Sequence, residues 1–118
     1  MRITSLKSNE IFVFGSNASG FHGAGAAKDA FDLFGAIWGQ ANGLQGQSYG
    51  INTMSGFDEL SRQVETFIAF AESHPELRFL VTAIGCGIAG YDARAIAPLF
   101  SSAPDNVVLP DAFNRLIA

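Results

Sequence analysis

Ile11-Phe12-Val13-Phe14-Gly15-Ser16-Asn17-Ala18-Ser19-Gly20-Phe21-His22-Gly23-Ala24-Gly25 is the stretch on which the reading of this chain turns. An apolar run of two aliphatic and two aromatic residues stops at Gly15, the pattern of a short buried strand. Beyond the glycine-broken loop, Ala24 to Phe34 reads as a helix. Its alanines, Phe31 and Phe34 fall on one side, Lys28, Asp29 and Asp32 on the other, and Gly35 ends it. A buried strand that runs through a glycine loop into a helix is the opening unit of an α/β layer fold.

The remainder of the chain continues the alternation. Ser48 to Thr53 is a candidate strand, and Asp58 to Ser73 is the clearest helix, with Leu60, Val64, Phe67, Ile68 and Ala71 at helical spacing. Ser55-Gly56-Phe57-Asp58 resembles a capping box at its start, and His74-Pro75 stops it. Phe79 to Ile84 reads as a second buried strand, followed by Gly85-Cys86-Gly87-Ile88-Ala89-Gly90. A short helix over Asp92 to Phe100 follows, N-capped by Asp92 and kinked or restarted at Pro98. Asn106 to Leu109 is a last strand, with a short helix from Pro110 onward.

Composition narrows the classes. At 118 residues the chain makes one domain, 1–118. Seven basic against eleven acidic residues leave a net charge of −4, which argues against general nucleic-acid binding. No apolar run approaches the roughly 20 residues of a membrane span. Met1 to Glu10 lacks the apolar core of a secretory signal, so the expected location is cytoplasmic. The single cysteine, Cys86, and two histidines without ligand spacing, His22 and His74, predict neither a disulfide framework nor a metal site. Of 13 glycines, ten lie between Gly15 and Gly56 and three between Gly85 and Gly90. Leu33 to Phe57 carries 25 residues without one charge, and is either a lid or a surface for self-association into a homo-oligomer.

Both glycine clusters fall just after a predicted strand and just before a predicted helix, where open α/β sheets hold ligands and helix N-termini attract phosphates. Lys28-Asp29 fails the Lys-Ser or Lys-Thr requirement of a Walker loop. Gly85 to Gly90 matches G-x-G-x-x-G with Asp111 21 residues further on, which leaves a Rossmann-like dinucleotide-binding protein as a remote alternative.

HGAGAAKDAFDLFG, followed by an apolar strand and IGCGIAGYDARAI, resembles the macro domain family over roughly Ile11 to Pro110. The likeness is greatest to the branch with terminal ADP-ribose protein glycohydrolases and the DarG antitoxin, and to small bacterial and phage proteins that share GSN-x-x-G-x-HGAGAA. The resemblance implies a three-layer α/β/α domain with a mixed sheet, and ADP-ribose or a related, including cyclic, nucleotide as ligand. Carried over, Ser16, Asn17, His22, Gly23, Ala24 and Gly25 would face the distal ribose and a phosphate. Gly85, Cys86, Gly87, Ile88, Ala89 and Gly90 would wrap the diphosphate, with Tyr91 against a ribose or base. The branch's catalytic lysine falls on Met54 and its acid on Ala89, and neither side chain can do that chemistry.

Each candidate also has a structural reading. Asn17 suits an Asx-turn, His22 a helix-entry hydrogen bond, and Cys86 tight loop packing. Lys28 and Arg94 could pair with a phosphate or lie on a solvated face; Trp38 is read as core, as are Phe67, Phe70 and Phe79, and His74 as a surface cap. Two functions follow with no resident cofactor. One is a binding module, or sponge, for an ADP-ribose-derived signal in phage–host conflict. The other is an ADP-ribosyl hydrolase in which His22 and Asn17 activate water. A structural subunit with empty loops is the third class.

Overall fold

The computed structural model describes Arg2 to Ile117. Its elements run β1 (Glu10–Ser16), α1 (Gly25–Leu33), β2 (Gly43–Gln45), β3 (Ser48–Asn52), α2 (Phe57–Glu72), β4 (Arg78–Val81), α3 (Ala93–Ile96), β5 (Val107–Val108) and α4 (Asp111–Ile117). The strands form one mixed sheet in the order β2-β3-β1-β4-β5. β3, β1, β4 and β5 are parallel, and β2 is an antiparallel edge.

β1 is central, and its alternation builds the layers. Successive side chains of a strand point to opposite faces. Ile11 and Val13 enter one core with Leu60, Val64 and Phe67 of α2, together with Phe100 and Phe113. Phe12 and Phe14 enter the other with Ala27 and Ala30 of α1 and Phe34. The result is an α/β/α sandwich with α1 alone on one face. The small side chains of Ala27 and Ala30 let the helix lie against the Phe12 and Phe14 rings.

Several elements differ from expectation. The strand after Phe79 stops at Val81, where the Thr82 hydroxyl and amide both turn to the Val13 carbonyl at 2.8 and 3.1 Å. The helix after Asp92 does break at Pro98 as expected: four α-helical residues give way to a 3₁₀ turn over Ala97–Phe100. Asp92 does cap it, accepting from the Arg94 amide at 2.8 Å. The capping box at Ser55 does not form. Gly56 is the N-cap of α2, and the Ser55 hydroxyl instead accepts from Asn52 Nδ2 at 2.8 Å. Trp38 is not core: it is 51% exposed, and Phe31 on the outer side of α1 is exposed with it.

The uncharged segment is packed in part: Phe34, Ala36, Gln45 and Ser48 to Thr53 are buried, while Leu33, Ile37, Trp38 and Leu44 are exposed. Buried Gln45 accepts from the Ile37 amide at 2.8 Å and donates to the Gln40 and Gly43 carbonyls at 3.2 and 3.3 Å. Neutral amides can do this inside a core, where a charge would carry a heavy desolvation cost. Gly35 and Gly46 cross so closely that a Cβ on Gly46 would lie 2.5 Å from the Gly35 carbonyl oxygen. Gly50 is similarly confined: a Cβ there would lie 2.6 Å from the Ala41 carbonyl oxygen. These glycines are required by backbone-to-backbone approach.

Candidate functional site

The first crossover, from β1 to β3, carries α1 over one face of the sheet, while β4 leads to α3 on the other face. Adjacent strands β1 and β4 therefore send their chains in opposite directions, which opens a crevice beyond their C-terminal ends. A cleft of about 520 Å³ lies there. It is lined from β1 and the loop after it, from the first turn of α1, from Thr53 and Met54 beyond β3, and from the segment between Thr82 and Ala89.

The structure brings nine of the candidate residues to this cleft: Ser16, Asn17, Gly23, Ala24, Gly25, Gly85, Gly87, Ile88 and Ala89. Met54 lines it as well, so the two positions at which the resemblance expects a lysine and an acid share one cavity. His22, Cys86, Gly90 and Tyr91 do not line it. None of the lining side chains is ionisable.

Polar capacity in the cleft comes from backbone and hydroxyl. Ala24 is the N-cap of α1 and has no side-chain bond to offer the helix. The first amides of a helix have no intrahelical acceptor, so those of Gly25, Ala26 and Ala27 remain as donors at the positive end of the helix dipole. Ser16 shares its strand face with Phe12 and Phe14, the α1 side. It is 3% exposed, and its Oγ has no hydrogen-bond partner among the described residues. A buried hydroxyl without a partner is costly and uncommon in a protein interior. Across the cleft, the amides of Gly87, Ile88 and Ala89 likewise have no protein acceptor among the described residues, while Gly90 and Tyr91 close turns onto the Gly87 and Gly85 carbonyls.

The first loop is held rigidly. Asn17 clasps Phe21 from both sides of its amide: Nδ2 donates to the Phe21 carbonyl at 2.9 Å, and Oδ1 accepts the Phe21 amide at 3.0 Å. Its side chain shapes the loop from within. Gly20 takes a φ of +68° and presses on the neighbouring segment, where a Cβ would lie 2.6 Å from Gln40 N. The Gly39 amide donates to the Gly20 carbonyl at 2.9 Å.

His22 is turned inward. It is 1% exposed, edge-on to Phe14 at 5.2 Å, with Nε2 2.8 Å from the Ile37 carbonyl oxygen. A carbonyl only accepts, so Nε2 donates in this contact. Nδ1 is sealed in without a partner among the described residues. Cys86 packs beside the α2-side core, and its burial, with the nearby Asp92 carboxylate, pushes the thiol pKa up. That is opposite to what a nucleophile at neutral pH requires. Tyr91 packs edge-on to Phe57 at 5.8 Å.

The two cations beside the glycine loops are committed elsewhere. Lys28 pairs with Asp32, and Arg94 with Asp92 at 3.0 Å. The Arg94 contacts hold the Asp92 carboxyl down at about 2. Among the described residues no group of three His, Cys, Asp or Glu side chains is placed to hold a metal ion, and no helix is long and apolar enough to cross a membrane.

Sequence reasoning missed Thr53, Thr82 and Phe21 as cleft residues. The threonines carry no motif, and their place follows only from where parallel strands end. Compared with protein-family models, curated proteins and solved structures, the chain matches none.

Proposed function

We propose that this domain binds ADP-ribose or a related ADP-ribose-derived nucleotide in the cleft beyond β1, β3 and β4, and acts as a binding module. The observation that carries this reading is the uncapped start of α1 together with the orphaned Ser16 hydroxyl in the same cleft. Backbone amides at a helix start make an anion site that needs no cation, and Ser16, with its unpartnered hydroxyl, lines the same cleft. This reconciles a phosphate ligand with a net charge of −4 and with the absence of charged side chains from the lining. About 520 Å³ is in the range that encloses a small organic ligand.

The choice of ADP-ribose among phosphate esters rests on the likeness of HGAGAA and IGCGIAGY to macro domains. The shared position of Met54 and Ala89 in the cleft supports it. Binding is favoured over hydrolysis because general acid–base chemistry needs a titratable side chain within reach of the substrate. The lining offers none, and the unpartnered Nδ1 of His22 is closed off from it.

A thermal-shift panel of ADP-ribose, NAD, AMP and cyclic ADP-ribose isomers tests the reading. Ligand at 100 times its Kd adds about 2.7 kcal/mol, several degrees of melting temperature for a domain of this size. No shift with any member of the panel would sink the proposal.

A further inference from the structure

Phe21 has a setting that loop packing does not explain. It lines the cleft, yet it is 57% exposed. One face of its ring stacks on Trp38, with centroids 5.5 Å apart and planes 20° from parallel. Trp38 is braced in turn by Phe31 at 5.6 Å and His22 at 6.2 Å, both edge-on. Asn17 fixes the Phe21 backbone from both sides, and the Gly20 contact with Gly39 and Gln40 ties the loop to the segment that carries Trp38. A large apolar ring held this firmly in solvent, at the rim of a cavity, is preorganised for contact, since little freedom remains to be lost on binding. The other strongly exposed apolar side chains at the rim are Met54 and Ile88.

We infer that Phe21 is a specificity-determining residue: its open face is a stacking platform for a planar ring of the ligand whose phosphate sits at the start of α1. This rests on the binding reading above and adds to it. The ligand class becomes a phosphate ester that carries an aromatic ring, and the Phe21–Trp38 stack is the element that separates it from sugar phosphates and inorganic anions. Stacking on an aromatic side chain is tolerant of ring identity, because every base presents a π face.

The test is calorimetric titration of wild type, Phe21→Ala, Phe21→Leu and Phe21→Tyr with ADP-ribose, NAD and ribose 5-phosphate. Phe21→Ala should weaken a ring-bearing probe about tenfold or more. Phe21→Leu, which keeps apolar bulk without a π face, should show most of that loss, and Phe21→Tyr should restore affinity. Ribose 5-phosphate should bind all four proteins alike. A loss shared by ADP-ribose and NAD assigns adenine to Phe21, and one confined to NAD assigns nicotinamide; either supports the inference. Should Phe21→Ala fold poorly, the Leu and Tyr pair decides.

Unchanged ADP-ribose and NAD binding in the Leu variant overturns the inference and leaves the cleft reading standing. So does an equal loss for ribose 5-phosphate, which would make Phe21 a loop-shaping residue. A wild-type dimer that Phe21→Ala converts to a monomer, with ring affinity unchanged, reassigns the stack to self-association. If the wild type binds none of the three probes, both readings fall.

Discussion

The two glycine-rich loops are alike in sequence position and unlike in what they build. The segment from Gly15 to Gly25 is clamped by the Asn17 clasp and pressed against Gly39 and Gln40, and it feeds a nine-residue helix whose start has no cap. The segment from Gly85 to Gly90 curls through local turns into a four-residue helix that Asp92 already caps. Ile88 at its tip is 81% exposed. Only the first has a helix long enough to present a dipole, and only the first includes a side-chain hydroxyl that has no partner among the described residues. Glycine content alone marks where a chain can turn closely; the site depends on what the turn delivers. The contrast also weakens the dinucleotide-fingerprint reading, since G-x-G-x-x-G occurs here on the loop whose following helix is a single turn.

The largest expected effect separates the loops by stability. Gly20→Ala puts a Cβ into the Gln40 backbone and demands a φ of +68° from an L side chain. We expect a loss of about 3 kcal/mol or more, from the left-handed penalty and overpacking together. In the second loop Gly87 has open space and no positive φ, so Gly87→Ala should change stability by less than about 0.5 kcal/mol. Urea denaturation of both variants measures the difference, and equal losses would refute the contrast.

An effect of intermediate size distinguishes stability from binding. Ser16→Ala removes a buried hydroxyl that no described residue satisfies. Without ligand, the variant should be as stable as wild type or more so, by up to about 1 kcal/mol. Affinity for ADP-ribose should fall about tenfold, one hydrogen bond's worth. Calorimetry beside denaturation checks both signs; a destabilised variant with intact affinity would show that the hydroxyl serves the fold.

The smallest effect concerns the second loop. Asp92 has its pKa lowered from 3.8 to about 2, chiefly by the Arg94 side chain and then by the Arg94 amide. A carboxylate depressed by folding contributes in full above its unfolded pKa, and that contribution is lost as pH falls through the folded value. The backbone amide resonance of Arg94 should therefore titrate near pH 2. A midpoint near 3.8 would mean that the cap is not held.

Much of the α/β frame was readable because its signals are local. The apolar run Ile11 to Phe14, the helical spacing from Leu60 to Ala71 and the break at Pro98 each depend on neighbours in the chain. β2 was not legible: Gly43-Leu44-Gln45 has no alternation, and it becomes a strand only by pairing with β3. Trp38 was read inward on its chemistry alone, but the surface position is stable because Phe21, Phe31 and His22 already surround part of the ring. His22 and Asn17 were legible as loop residues, whereas the burial of one and the double clasp of the other depend on partners the motif does not name.

By itself, then, the sequence determined the alternation of strands and helices, the two glycine turns and the shortage of charge, since these follow from backbone sterics and hydrophobic periodicity over a few residues. Tertiary structure alone decided the strand order, the gathering of Ser16 and the start of α1 at one cleft, and the exposure of Phe21 on its Trp38 backing. Such features join residues distant in the chain, and they are set by which surfaces exclude water together. A cleft at a sheet's C-terminal edge belongs to that second class, because it exists only where neighbouring strands send their chains to opposite faces.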